Sequence, residues 1–264
     1  MASEPAPSPP VWPVATEQPV AGACPRFELA EWAERYGIVA GITVRGAGEG
    51  RGFDLGLWTD APAAEVMGRW RALRADLPGA DGVVLGNQIH GTEIGLVGAT
   101  RGWLQMDAID GWVTTSHGTY LAVTVADCIP IYLAVPGRGI ALLHAGWRGI
   151  AAGILRNGLE HLLLATGAAG ADVVMHCGIG ICGACYEVGS EVMTGCGVHC
   201  TGTGPWHLDL RAVLAEQAAA LGVGRVTRSS WCSAHDRSRF YSHRASRGAD
   251  GRMVAYLGIP RAHY

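Results

Sequence analysis

Two periods alternate along the chain. Apolar residues return at helical spacing over 27–36, 61–77, 149–166 and 208–221. The second of these stretches opens with Asp60 as its expected N-cap and Pro62 in the first turn. The third and fourth close on Gly167 and Gly222, residues suited to the position just past a helix end. Between them lie short apolar runs that read as strands: Ile38–Val44, Gly82–Leu85, Leu121–Val125, Ile131–Val135, Ile140–Leu143 and Val173–His176. Helices interspersed with both hairpins and isolated strands predict an α+β fold, layered as an α/β/β/α-type sandwich, rather than a regular βαβ array. No internal repeat or low-complexity linker divides the chain. A single domain is therefore expected over 26–264, after a Pro- and Ala-rich disordered tail at 1–25.

The central hairpin brings chemistry together. Ile131–Val135 and Ile140–Leu143 flank Pro136-Gly137-Arg138-Gly139, a four-residue turn of the kind that joins antiparallel strands. Pairing Val135 with Ile140 sets Ile131 opposite His144. Cys128 lies three residues before Ile131, so thiol and imidazole start within roughly 10 Å at about 3.3 Å per strand residue. Pro130 is expected to break the strand and let Cys128 turn inward. Upstream, Gln88-Ile89-His90-Gly91 follows a strand, and Gly91 permits close approach of a ligand or another backbone. His90, Cys128 and His144 are the donor set of a zinc site whose fourth position stays open. Spacing alone also allows His90 to be an ordinary loop histidine and Cys128 an ordinary buried thiol.

Composition narrows the classes. The chain is 49% hydrophobic and 16% charged, within the range of soluble globular proteins. A net charge of -3 offers no basic footprint for nucleic acid. All 20 Lys and Arg positions are arginine, which excludes Schiff-base lysine chemistry and a Walker A lysine. An anionic substrate must then be held by arginine or by backbone N–H groups. Arg45, Arg69 and Arg148 are the candidates, Arg148 at the entry to the third helix, whose amides suit a phosphate. Asp110 and Asp127 are placed to orient a metal-bound histidine, to relay protons, or simply to cap turns. No run reaches the roughly 18 apolar residues of a membrane span, and no signal peptide is evident, so a cytoplasmic location is expected.

Eight cysteines in a chain of this length need not form disulfides. Cys182-x-x-Cys185 with Cys196 and Cys200 has tolerable spacing for a second, structural zinc site, although glycine-rich loops account for it as well. The Gly46–Gly52 run suggests a dinucleotide loop, but it leads into Phe53–Leu57, which looks like a strand and not the required helix.

Several segments together carry a family likeness. They are Gly41–Arg45, Asp110–Thr114, Leu121–Pro130, His144-Ala-Gly-Trp-Arg-Gly149, Cys185-Tyr-Glu-Val-Gly189, Arg239–Arg244 and Gly251-Arg-Met253. Over roughly 37–258 the chain resembles the multicopper polyphenol oxidase/laccase-domain family, better described as zinc-dependent purine nucleoside enzymes. The resemblance implies that His90, Cys128 and His144 ligate zinc and that Arg69 belongs to the family's second helix. It departs from the family pattern at Asp54-Leu55-Gly56, Gly68-Arg69 and Gly178-Ile179, positions expected to border the substrate cleft rather than the metal.

Three functions follow as expectations. The first is a zinc-dependent purine nucleoside phosphorylase with adenosine deaminase activity, taking small-molecule nucleoside and phosphate. The second is a copper-dependent polyphenol oxidase, for which copper would occupy the same His-Cys-His set. Ten histidines without a His-x-His pair suit that oxidase poorly. The third is a cysteine hydrolase with Cys128 as nucleophile, related to enzymes that edit peptidoglycan precursors.

Overall fold

A computed structural model describes residues 12–46 and 52–262. Two sheets stack face to face. One takes strands β1 (Gln18–Val20), β2 (Arg26–Glu28), β3 (Val39–Thr43), β4 (Gly82–Asn87), β6 (Gly102–Asp107), β8 (Thr119–Val125) and β15 (Met253–Gly258). Their order is β1-β2-β3-β15-β8-β4-β6. The other takes β5 (Ile94–Leu96), β7 (Gly111–Thr114), β9 (Ile129–Val135), β10 (Gly139–Ala145), β11 (Val174–Cys177) and β14 (Arg225–Arg228), in the order β14-β11-β9-β10-β7-β5. A short ribbon pairs β12 (Glu187–Val188) with β13 (Trp206–His207).

Helices close the sandwich from both sides. They are α1 (Ala30–Tyr36), α2 (Ala63–Asp76), α3 (Trp147–Ala152), α4 (Ile154–Thr166), α5 (Ser190–Gly195), α6 (Leu210–Ala220) and α7 (His243–Ser246). Side-chain alternation along each strand sorts the core into three layers. Val83, Leu85, Tyr120, Ala122 and Tyr256 pack on Val66, Trp70 and Leu73 of α2. Val84, Leu121, Val123 and Ala255 meet Tyr132, Ala134, Ile140 and Leu142 between the sheets. Leu133, Val135, Ala141 and Leu143 pack on Leu155, Leu159 and Leu162 of α4 and Leu214 of α6. The expected α/β/β/α layering of an α+β fold is the one found.

Several local expectations need correction. Residues 12–25, expected to be part of a disordered tail, are ordered: β1 pairs with β2, and Glu17 is buried. Glu17 Oε1 lies 3.0 Å from His176 Nε2, and Glu17 Oε2 accepts from Ser229 Oγ at 2.6 Å. That buried polar clasp ties the segment to β11 and to the residue after β14, and composition alone could not show it. The remainder of the expected tail, 1–11, lies outside the described residues, as does most of the Gly46–Gly52 run.

The first helix starts only at Ala30, because Arg26–Glu28 is drawn into the sheet beside β3. The second begins at Ala63 with Pro62 as N-cap, not Asp60. The helix expected over 149–166 is two helices, broken at Gly153 with φ 92°. Phe53–Leu57 forms no strand; the buried Asp54 instead accepts the amides of Gly56 and Arg252, each at 2.8 Å.

The central hairpin slips by one residue. Its loop is Pro136-Gly137-Arg138, with Gly137 at φ 75°, so Val135 pairs with Gly139 and Ile131 with Leu143. His144 therefore stands opposite Pro130, one step nearer Cys128 than expected. Pro130 does not break β9 but is its second residue, its carbonyl accepting from Gly178 at 2.9 Å. The turn that delivers Cys128 is made at Asp127, whose φ is 87°.

Candidate metal centre and its cleft

The centre forms where the chain passes between the sheets. β8 belongs to one sheet and β9 to the other, and Ala126-Asp127-Cys128 is the crossing. His144 lies on β10, and by alternation shares the inter-sheet face with Ile140 and Leu142. His90 comes from the loop leaving β4. The ligand atoms of His90, Cys128 and His144 all lie within 4.8 Å of one another.

Asp110 holds two of the three. It is wholly buried on the crossing from β6 to β7. Its carboxylate accepts the amides of Ile89 (3.1 Å), His90 (3.0 Å) and Gly91 (2.8 Å), a nest of successive N–H groups around an anion. Those bonds stabilise His90 in the left-handed region, at φ 61°. Asp110 Oδ1 also lies 2.9 Å from His144 Nδ1, which fixes the proton there and leaves Nε2 as donor atom. Gln88 anchors the same loop to β8, exchanging hydrogen bonds of 2.8 Å with the Thr124 backbone.

The donor set fits a four-coordinate metal ion. Cys128 Sγ stands 3.8 Å from His90 Nε2, near the S···N edge of about 3.5 Å implied by zinc bonds of about 2.3 and 2.0 Å at a tetrahedral angle. Burial pushes the Cys128 thiol up, but the His144 and His90 imidazoles outweigh it and pull it down to about 6. Burial pushes His144 down, yet Cys128 and Asp110 lift it to about 9. Without a metal the two are thus a thiolate–imidazolium pair, with the sulfur already in its ligating form.

A cleft of about 510 Å³ opens onto the three donors. Trp58, Trp147 and Tyr186 contribute aromatic wall, and Arg148, Arg244 and Arg252 contribute cations. Of the arginines proposed from sequence, only Arg148 lines this cleft; it lies over the Trp147 ring at 4.6 Å and has no ion-pair partner among the described residues. The helix it opens, α3, is six residues long, so little dipole backs the phosphate reading based on helix amides.

Arg45 and Arg69 are off the cleft wall. Arg45 is paired with Asp250 at 2.6 Å, and Arg69 with Glu65 and the Asp54 carbonyl, each at 3.1 Å. Asp127 lines the cleft, but its two oxygens accept from Ser233 Oγ and the Arg244 amide, each at 2.6 Å. Arg244 and Arg252 had been visible only as parts of family-like segments. Nothing in their local spacing said that α7 and the start of β15 would face Cys128.

The second cysteine cluster has different members from those expected. Cys182 and Cys185 are joined by Cys232 and His235. Cys196 instead packs in the helix-side core at the end of α5, with its sulfur 4.0 Å from the Trp147 carbonyl, and Cys200 is exposed.

Fold and site together define a class: a two-sheet sandwich with an open-sided Cys/His group at the sheet crossing that could hold a metal ion. The chain belongs to the family described as multi-copper polyphenol oxidoreductase laccase, whose profile matches residues 40–260. A purine nucleoside phosphorylase of Deinococcus radiodurans is 34% identical over 81% of this chain and 85% of its own length. Purine nucleoside phosphorylase YlmD of Geobacillus stearothermophilus is 31% identical over 84% of this chain and 90% of its own. The crystal structure of YlmD from Geobacillus stearothermophilus superposes with a TM-score of 0.80 at 27% identity, covering 94% of this chain and 100% of that one.

Proposed function

We propose that this chain is a zinc-dependent purine nucleoside phosphorylase acting on adenosine, inosine or methylthioadenosine, with adenosine deamination as a second reaction of the same cleft. The observation that carries the reading is one cleft joining an open-sided His₂Cys set to three arginines and three aromatic walls. The names of the relatives support it.

His90, Cys128 and His144 would hold the zinc, which when bound supplies a Lewis-acid position open to a substrate oxygen or a water. Asp110 orients the His144 imidazole and holds the His90 loop through its amide. Arg148, with no carboxylate partner among the described residues, is the cation best placed to hold phosphate; Arg244 and Arg252 add charge beside it. Trp58, Trp147 and Tyr186 offer flat faces on which a purine stacks. Asp127 places Arg244 through its amide. Arg45 and Arg69 act at one remove, Arg45 through Asp250 and Arg69 through the Asp54 loop that seats Gly56 and Arg252.

A second reading rests on the Cys128–His144–Asp110 arrangement, which has the nucleophile, base and orienting carboxylate of a cysteine hydrolase such as a peptidoglycan-precursor editing enzyme. Copper in the same His-Cys-His set, the basis of a polyphenol oxidase, is less well supported. The two donor groups among the described residues hold two histidines and one, few for oxygen reduction.

Product analysis by liquid chromatography and mass spectrometry tests the proposal. Protein and its Cys128→Ala variant are incubated with each nucleoside, with and without phosphate. Phosphate-dependent free base and ribose phosphate, lost in the variant, are the expected result, with inosine from adenosine marking deamination. Absence of all purine turnover by metal-loaded protein would overturn the reading in favour of the hydrolase.

A further inference from the structure

The second cluster joins two loops, and none of its four residues lines the cleft. One loop runs from β11 to β12 and carries Cys182 and Cys185; the other follows β14 and carries Cys232 and His235. Each loop presents its pair across two intervening residues, the spacing by which structural zinc sites take two ligands from one tight turn. The turns are already formed. Cys185 N donates to the Cys182 carbonyl at 3.0 Å, and Asp236 N to the Cys232 carbonyl at 3.0 Å.

The four ligand atoms lie within 4.8 Å of one another. Cys182 Sγ is 3.5 Å from His235 Nδ1, and Cys185 Sγ is 3.3 Å from His235 Nε2. A metal ion takes one of the two ring nitrogens, so one of these distances is a coordination edge, against a tetrahedral S···N edge of about 3.5 Å, and the other shows how closely the ring packs between the sulfurs. Backbone N–H groups are turned toward sulfur: the Cys182 amide donates to Cys232 Sγ at 3.3 Å. Such amides are the outer partners that favour thiolate ligands. Convergence of an exposed imidazole on two sulfurs distinguishes this group from a cysteine pair preparing to form a disulfide, which needs no histidine.

We infer that Cys182, Cys185, Cys232 and His235 form a second zinc site, structural in kind, that staples two loops of the cleft wall to each other. All four tetrahedral positions come from the protein, so the site is closed and offers no place to substrate. Its consequence for the cleft is direct. The first loop supplies Ile181 and Tyr186 to the wall. The second supplies Ser233, which holds Asp127, and leads on to Arg244. Between the loops the described backbone contributes a single bridge, Gly180 with Cys232, and the bond from Ser233 N to the Gly180 carbonyl at 3.0 Å.

Metal counting by inductively coupled plasma mass spectrometry separates the two sites. Protein from zinc-supplemented cells is expected to hold two zinc ions per chain and Cys128→Ala to keep one. Adding Cys232→Ser to Cys128→Ala is expected to leave none. Should the Cys232→Ser chain fail to fold, a His235→Cys and His235→Ala pair decides: the former keeps the ion and the latter releases it to a chelator at least tenfold faster than Cys128→Ala alone. Cobalt(II) in Cys128→Ala is expected to give the intense thiolate charge-transfer band of a three-sulfur tetrahedral site. Metal-free Cys128→Ala two mass units lighter than its reduced form would show a disulfide and overturn the inference. An ion indifferent to both Cys232→Ser and His235→Ala would also overturn it. These counts stand whether or not the cleft turns over nucleosides.

Discussion

Replacing Asp110 by Asn tests how the candidate metal site is held. The wholly buried carboxylate accepts from His90 N and His144 Nδ1 on Oδ1, and from Ile89 N and Gly91 N on Oδ2. Asn keeps the shape but turns one acceptor into a donor. An amide nitrogen at the Oδ2 position would face two N–H groups. At the Oδ1 position it would face the His90 N–H, and His144 Nδ1 could accept from it only by moving the imidazole proton to Nε2. That shift consumes the lone pair a metal needs. In either orientation at least one amide turned to the buried carboxylate goes unpaired, at about 1–3 kcal/mol, and bonds to a charged acceptor worth about 1.5–3 kcal/mol each are weakened. We expect Asp110→Asn to lose about 3 kcal/mol in urea unfolding, and to bind zinc about 10–100-fold more weakly in competition with a chromophoric chelator. An unchanged urea midpoint with unchanged zinc affinity would refute this account of the loop nest and the imidazole.

Four further outcomes are expected. Between about pH 6 and about pH 9 the metal-free pair is thiolate and imidazolium, so binding a metal releases one proton from His144; zinc affinity should rise about tenfold per pH unit across that window and more steeply below it, as followed by chelator competition. Gly146→Ala would set a methyl 2.8 Å from His90 Cδ2 and 3.1 Å from Cys128 Sγ, and should lower turnover by about 100-fold while urea stability changes little. Arg148→Ala should raise the KM for phosphate about tenfold, whereas Arg45→Ala, off the cleft wall, should act mainly on stability; equal effects on KM would count against the assignment. Glu17→Ala should cost about 3 kcal/mol by leaving buried His176 and Ser229 without their acceptor, a loss that a loosely attached N-terminal segment would not show in urea unfolding.

Much of the layering was legible because it rests on period. Nearly unbroken apolar runs in Leu121–Val125 and Ile140–Leu143 mark strands with two covered faces, and the spacing over 208–221 marks a helix with one. The three residues that the structure brings together at the candidate site were legible for a different reason: Cys and His flanked by small, turn-forming residues are uncommon, and a resemblance joined three segments that spacing could not. Where a single residue altered a turn, the reading slipped. Gly137 shortened the hairpin loop by one residue, Gly153 split a helix, and Asp127 rather than Pro130 turned the chain inward.

The partnerships were not legible, because each depends on atoms far apart in the chain. Asp110 serves His90 and His144 at once only after β4, β7 and β10 have stacked. Cys232 and His235 meet Cys182 and Cys185 only once β11 and β14 lie side by side. Arg45 and Arg148 are the same cation in the sequence; Asp250 pairs with one, while the other has no ion pair among the described residues and lines the cleft. Local chemistry thus specifies which groups this protein owns, because backbone period and turn propensity act over a few residues. Which of those groups face one another depends on sheet order and sheet crossing, since metal coordination and charge pairing act through space and not along the chain.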